Sequence, residues 1–190
     1  MVRIIVSGGI GSGKSTVTSI MQDHGAAVVH ADEIGHMVLE PEGEAFTEVA
    51  DAWPSVVTDN AIDRRKLAAI VFSDDAALAE LESMTHPAIR RKLAELTRLV
   101  HTNLLVVEIP ILRDFLNSSW TKVFVTAESH VRHERLLARG MDEADIHGRM
   151  RAQASDATGV AWADYVISNN GSLEELETEV HALLSSLGDG

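Results

Sequence analysis

Residues 4–17 read IIVSGGIGSGKSTV, with four glycines in the six positions 8–13, directly after a run of Ile and Val and just before Lys-Ser-Thr. Glycine weakens a strand or helix interior, so such a cluster marks a place where the backbone must curl or be approached closely. The stretch satisfies G-x-x-x-x-G-K-[ST] completely, through Gly8, Gly13, Lys14 and Ser15. A chain curled in this way points successive N–H groups into one hollow, to which the following helix adds its positive end. The expected occupant is a polyphosphate. Lys14 is expected over the β and γ phosphates, the Ser15 hydroxyl in a Mg²⁺ coordination sphere, and Thr16 at a further phosphate oxygen.

Working outward, residues 2–7 (VRIIVS) predict a buried strand, and residues 14–24 (KSTVTSIMQDH) a helix stopped by Gly25. Further strands are predicted at 26–32 (AAVVHAD), 103–109 (NLLVVEI), 121–127 (TKVFVTA) and 163–169 (ADYVISN). Apolar runs without alternation, separated by helices, indicate a parallel sheet covered on both faces. The last helix opens with Ser172 and Glu175 at capping-box spacing, and Leu173, Leu176, Val180, Leu183 and Leu187 form one stripe expected to be buried. Residues 34–101 read as almost wholly helical, with a turn around WPSVVTDNA.

Composition bounds the function. The chain of 190 residues carries a formal net charge of −13 and no cysteine, which disfavours nucleic acid as a partner and excludes disulfides and thiolate metal sites. No apolar run is long enough for a membrane span or signal peptide, so a cytoplasmic location is expected. An acidic protein that handles phosphates must gather its cations locally. Five of its sixteen Lys and Arg residues are Arg132, Arg135, Arg139, Arg149 and Arg151. Taken alone, that cluster reads as a solvated helix face.

The phosphate loop does not by itself separate a kinase from a GTPase or a motor, but there is no N-K-x-D guanine motif. Asp32 follows the second strand, at the end of the sheet where ligands bind in open α/β folds. A carboxylate there can take a proton from an attacking hydroxyl, or simply cap the next helix.

The segments GGIGSGKST, HADEIGHMVLEP, IDRRKLAAIVF, LESMTHPAI, IPIL, ARGMDEADIHGRMRAQAS and ADYVISNNGS resemble, in order and spacing, those of the dephospho-coenzyme A kinases. The resemblance spans nearly the whole chain. It implies a P-loop NTPase fold, with a parallel five-stranded sheet between helices, a helical acceptor-binding insertion and a lid. The core is expected at about 1–33 and 103–187, the insertion at 34–102 and the lid at 139–160. The implied reaction uses ATP and Mg²⁺ to phosphorylate the ribose 3′-hydroxyl of dephospho-CoA. On this chain the resemblance puts Gly9, Ile10, Gly11, Ser12, Gly13, Lys14, Ser15 and Thr16 around the ATP phosphates, and Asn169 and Gly171 near the adenine. Asp32 becomes the catalytic carboxylate, Arg139 the lid arginine at the transferring phosphoryl group, and Arg64, His86 and Pro87 belong to the acceptor side.

The chain departs from the family pattern in four places. His30-Ala31-Asp32 stands where D-A-D is usual, Pro110-Ile111-Leu112-Arg113-Asp114 replaces P-L-L-x-E, Arg132 replaces a glutamine, and no basic residue follows AQAS. A kinase for another nucleoside or nucleotide hydroxyl, or an ATP-binding paralogue with impaired turnover, are the competing readings. His130 and His133 have a metal-capable spacing but lack a nearby third ligand, so surface polarity is expected of them. Trp53 and Trp162 are expected in packing, and IRRKLAELTR either as a solvated face or as a CoA phosphate contact.

Overall fold

The computed structural model of the protein describes residues 1–109, 120–153 and 156–188. The departure at residues 110–114 and the Ala154-Ser155 pair lie outside them. In chain order the elements are β1 (Val2–Gly8), α1 (Lys14–Asp23), β2 (Ala27–His30), α2 (Ala31–Met37), α3 (Phe46–Ala52), a 3₁₀ turn (Pro54–Val56), β3 (Val57–Thr58), β4 (Ala61–Ile62), α4 (Arg64–Val71), α5 (Asp75–Leu99), β5 (Leu104–Glu108), β6 (Thr121–Thr126), α6 (Ser129–Ala138), α7 (Glu143–Ala152), α8 (Asp156–Trp162), β7 (Tyr165–Ser168) and α9 (Leu173–Gly188). The chain divides into two units, one of Met1–His30 with Val100–Gly190 and one of Ala31–Leu99.

In the first unit, five strands pair in the order β2-β5-β1-β6-β7, and every pairing is parallel. Ile4, Val6, Val106, Val123, Val125 and Ile167 meet Val17, Ile20 and Met21 of α1 and Leu176, Val180 and Leu183 of α9 in one core layer. Strand residues alternate between two covered faces, which is why these segments read as continuous apolar runs. β1 is central, so the loop that follows it opens at the carboxyl end of the sheet, where an open α/β fold forms its ligand crevice.

Helix ends follow the local chemistry. α1 closes with Gly25 at φ 84°, its N–H donating to the Gln22 carbonyl and the next N–H, of Ala26, to Met21. This is a Schellman closure, which the left-handed glycine permits. α6 closes the same way at Gly140 (φ 78°), with Gly140 bonded to Leu137 and Met141 to Leu136. The Ser172–Glu175 capping box forms as expected: Glu175 Oε2 accepts from the Ser172 N–H at 2.8 Å, and Ser172 Oγ from the Glu175 N–H at 3.2 Å. Leu173 departs from the predicted stripe. It is 58% exposed and, at the first turn of the helix, lines an open cleft beside Gly13 and Gly171.

On the opposite face of the sheet, Gly159 of α8 packs against the Phe124 ring so closely that an added Cβ would overlap it. Phe124 is itself buried, so the ring has nowhere to yield. Gly159→Ala is expected to lower stability by about 1–3 kcal/mol, the usual cost of overpacking. Urea denaturation checks this, and an unchanged midpoint would refute the packing argument.

The second unit is helical apart from the turn expected around WPSVVTDNA, where two short strands form that were not expected. A short antiparallel hairpin pairs β3 with β4 across Asp59 and Asn60, both at positive φ. Asp and Asn tolerate that region, so TDNA forms a tight two-residue turn that helical periodicity does not reveal. Asp63 then caps α4, its Oδ1 accepting from the N–H groups of Arg65 and Lys66. Pro87 sits inside the 25-residue α5, removing one donor without ending the helix.

Candidate active site

The glycine loop is built by close approach. Gly13 stands at φ 96° immediately before α1, and a Cβ there would collide with the Asn169 side chain. A Cβ on Gly9 would meet the Arg132 guanidinium. The loop is therefore gripped from outside by two polar side chains, and its glycines make room for them.

The Asn169 grip comes from the residue that directly follows β7. Its Nδ2 donates to the Ser12 carbonyl at 2.8 Å, while Arg135 of α6 donates to the Asn169 carbonyl (3.0 Å) and to its Oδ1 (3.2 Å). Asn169 is 6% exposed, so its amide is committed to holding the loop. The turn after β7 presents Asn170 and Gly171 outward.

The Arg132 grip is stronger. Its Nε donates to the Ile10 carbonyl at 2.8 Å, one terminal nitrogen to Asp156 Oδ1 at 3.2 Å and the other to Gln153 Oε1 at 3.3 Å. Gln153 Oε1 also accepts from the Ile10 N–H at 2.7 Å, and Asp156 accepts from Thr126. Both polar groups of Ile10 are thus tied down by side chains remote in sequence. Arg132→Met keeps most of the volume and removes these donors, and is expected to cost about 2–3 kcal/mol. The cost stays below that of a fully buried pair because the Asp156 side chain is 41% exposed. Matched urea titrations check the loss, and wild-type stability in the variant would show that the clamp is idle.

Lys14 Nζ donates to the carbonyls of Gly8 at 2.8 Å and Gly9 at 3.3 Å, which keeps the ammonium at the loop. Ser15 is exposed on the first turn of α1, whereas the hydroxyls of Ser7 and Ser12 are buried with no hydrogen-bond partner. Beside the loop lies a cleft of about 340 Å³ lined by Gly13, Thr16, Arg135, Arg139, Asn169 and Gly171. Five of these six were candidates from sequence; Arg135 enters as the residue that braces Asn169. Arg139, exposed, is the C-cap of α6, just before the Schellman closure at Gly140, and lies on the cleft wall.

Sequence reasoning missed Glu108, the last residue of β5. Its Oε2 accepts from Thr18 Oγ1 at 3.1 Å and lies 3.2 Å from His30 Nδ1. Thr18 Oγ1 also reaches the Ser15 carbonyl at 3.2 Å, so this carboxylate is coupled to the start of α1. The signal was present: an apolar strand, LLVVE, ending in an acid beside the loop strand.

The other candidates lie in the second unit. Asp32 is exposed in the first turn of α2, Arg64 is exposed at the start of α4, and His86 and Pro87 are half-buried in α5. A cavity of about 700 Å³ in this unit is lined by Arg91 and Lys92 among acidic neighbours, and contains none of those four residues. Arg91 pairs there with Glu44, and Lys92 with Glu95. Trp53 is half-buried between α3 and the 3₁₀ turn, and Trp162 is half-buried with Lys122 over its ring at 5.4 Å.

A parallel sheet in this order, a glycine loop after its central strand and a cleft walled by arginines beside that loop define a P-loop kinase. The profile of the dephospho-CoA kinase family matches residues 2–175. The chain belongs to that family. It is 38% identical over 187 residues to the dephospho-CoA kinase of Geobacillus kaustophilus, covering 94% of this chain and 93% of that one. Against the dephospho-CoA kinase of Leifsonia xyli it is 38% identical over 196 residues, covering 98% and 99%. The crystal structure of TT1252 from Thermus thermophilus superposes with a TM-score of 0.86 at 33% identity, covering 98% of this chain and 99% of the other.

Proposed function

We propose that the protein transfers the γ-phosphoryl group of ATP to the ribose 3′-hydroxyl of dephospho-CoA, the last step in making coenzyme A. The observation that carries this reading is the single cleft that joins Gly13 and Thr16 of the loop with Arg135, Arg139 and Gly171. A triphosphate fits there, with the loop N–H groups and Lys14 on its phosphates and its nucleoside toward Gly171. Asn169 contributes by holding the Ser12 carbonyl, and so the shape of the cradle.

In the transfer, the bond from the bridging oxygen to the γ-phosphorus breaks as the 3′-oxygen bonds to that phosphorus. The hydroxyl proton passes to the Asp32 carboxylate. Lys14 and Arg139 stabilise charge spread over the transferring oxygens, and closure over the site excludes water. Arg64, His86 and Pro87 orient the acceptor. Oxygen donors suit magnesium, and the chain offers the Ser15 hydroxyl and the Glu108 carboxylate, linked through Thr18. Bound there with phosphate oxygens, magnesium would neutralise charge on the β and γ phosphates.

The test is ADP release in a coupled assay, with dephospho-CoA compared against other nucleosides and nucleotides. Preferential turnover of dephospho-CoA supports the assignment. Faster turnover of another acceptor would reassign the substrate, and ATP binding without any transfer would indicate a paralogue that has lost the reaction.

A further inference from the structure

We propose that His133, Glu143 and His147 form a site for a zinc-type divalent metal ion at the joint between α6 and α7. His133 comes from α6, while Glu143 and His147 stand one turn apart on α7. His133 Nε2 lies 3.3 Å from Glu143 Oε1, and His147 Nε2 lies 3.9 Å from the same oxygen. All three ligand atoms fall within 4.8 Å of one another. Neighbouring ligands of a tetrahedral zinc ion with bonds of about 2.0–2.1 Å are about 3.3 Å apart, so the His133–Glu143 pair already has the required spacing. A small rotation of the His147 ring, whose side chain is 61% exposed, completes it.

The chemistry selects the ion. Two imidazoles and one carboxylate make a borderline-soft donor set that favours zinc and its transition-metal neighbours over magnesium. Three protein ligands leave the fourth position to water. The backbone places the ligands in advance: Gly140 closes α6, Asp142 Oδ2 accepts from the Ala144 N–H to start α7, and the fully buried Ile146 anchors α7. His130, the partner suggested by spacing, instead pairs with Glu128.

The position gives the site a consequence. α6 carries Arg132 and Arg135, and Gln153, immediately after α7, accepts from the Ile10 N–H. An ion bridging the start of α7 to α6 braces the two helices that grip the loop.

Calorimetric titration of the full chain with zinc chloride, in excess Mg²⁺ and without nucleotide, tests this independently of any kinase activity. One zinc per chain is expected. Losing even a supporting hydrogen bond to a metal ligand costs about 10–100-fold in affinity, so His147→Ala and Glu143→Gln are each expected to weaken binding by at least about tenfold. Both positions are exposed, so both variants should melt like wild type without zinc, and His130→Ala should bind as wild type. The proposal is overturned if zinc does not bind, if both cluster variants bind it like wild type, or if His130→Ala abolishes binding.

Discussion

Asp32→Asn is expected to slow phosphoryl transfer by about 10²–10⁴-fold, the usual contribution of a positioned general base, while ATP affinity stays within about twofold. The amide preserves size and polarity but removes the negative charge and the basicity that proton acceptance requires. Asp32 stands two residues beyond β2 in the chain, in the first turn of α2, and its side chain is exposed. Its place within α2, not before it, removes the capping reading and leaves complementation of the helix dipole as the structural alternative. Asp63 and Asp142 precede their helices and accept from backbone N–H groups there, whereas Asp32 already lies within the first turn of its helix. A carboxylate that only complemented the helix dipole would be worth about 0.3–1 kcal/mol of stability and nothing in turnover. Single-turnover rates at saturating ATP and acceptor, set beside equilibrium ATP binding, decide between the two. A wild-type rate in the variant would remove Asp32 from the chemistry.

Lys14→Met is the second large effect, an expected loss of about 10²–10³-fold in kcat, comparable to deleting one preorganised donor to transition-state charge. Met retains the length and apolar stem but cannot follow the γ-phosphoryl group as negative charge spreads over its oxygens. The ammonium already rests on the carbonyls of Gly8 and Gly9, so it is positioned by the loop itself. The fold should survive, because the grips on the loop from Arg132, Gln153 and Asn169 do not involve Lys14. Steady-state kinetics with a melting curve check both halves. A raised KM at unchanged kcat would mean that Lys14 binds ground state and transition state alike.

Much of this architecture was legible because it rests on local signals. The glycine loop, the five apolar strands and the Ser172–Glu175 box each have a cause within a few residues, and the parallel pairing of the strands follows from burial on both faces. The turn around Val57–Ile62 was legible, but its two strands were hidden because two-residue strands carry no period. Leu173 was misplaced because the stripe was carried to the first residue of the helix, which lines an open cleft and not the core.

The site was legible in its loop and illegible in its supports. Arg132, Gln153 and Asp156 converge on Ile10 from positions more than a hundred residues away, and no spacing rule joins them. Arg132 looked like a substituted glutamine or part of a solvated face, yet its side chain is 8% exposed and pinned to the loop. Glu108 could have been found, since an acid ending the strand beside β1 sits where P-loop enzymes place a metal-binding carboxylate. His133 needed Glu143 and His147 from the next helix, a proximity that only the turn at Gly140 creates.

The most direct measurement is the location of the new phosphate after incubation with ATP, Mg²⁺ and dephospho-CoA, read by phosphorus–proton NMR correlation on the isolated product. Phosphate on the ribose 3′-oxygen, formed in step with ADP and lost in Asp32→Asn, is the predicted result. ATP consumed without a phosphorylated acceptor, or phosphate carried on a different hydroxyl, would contradict it.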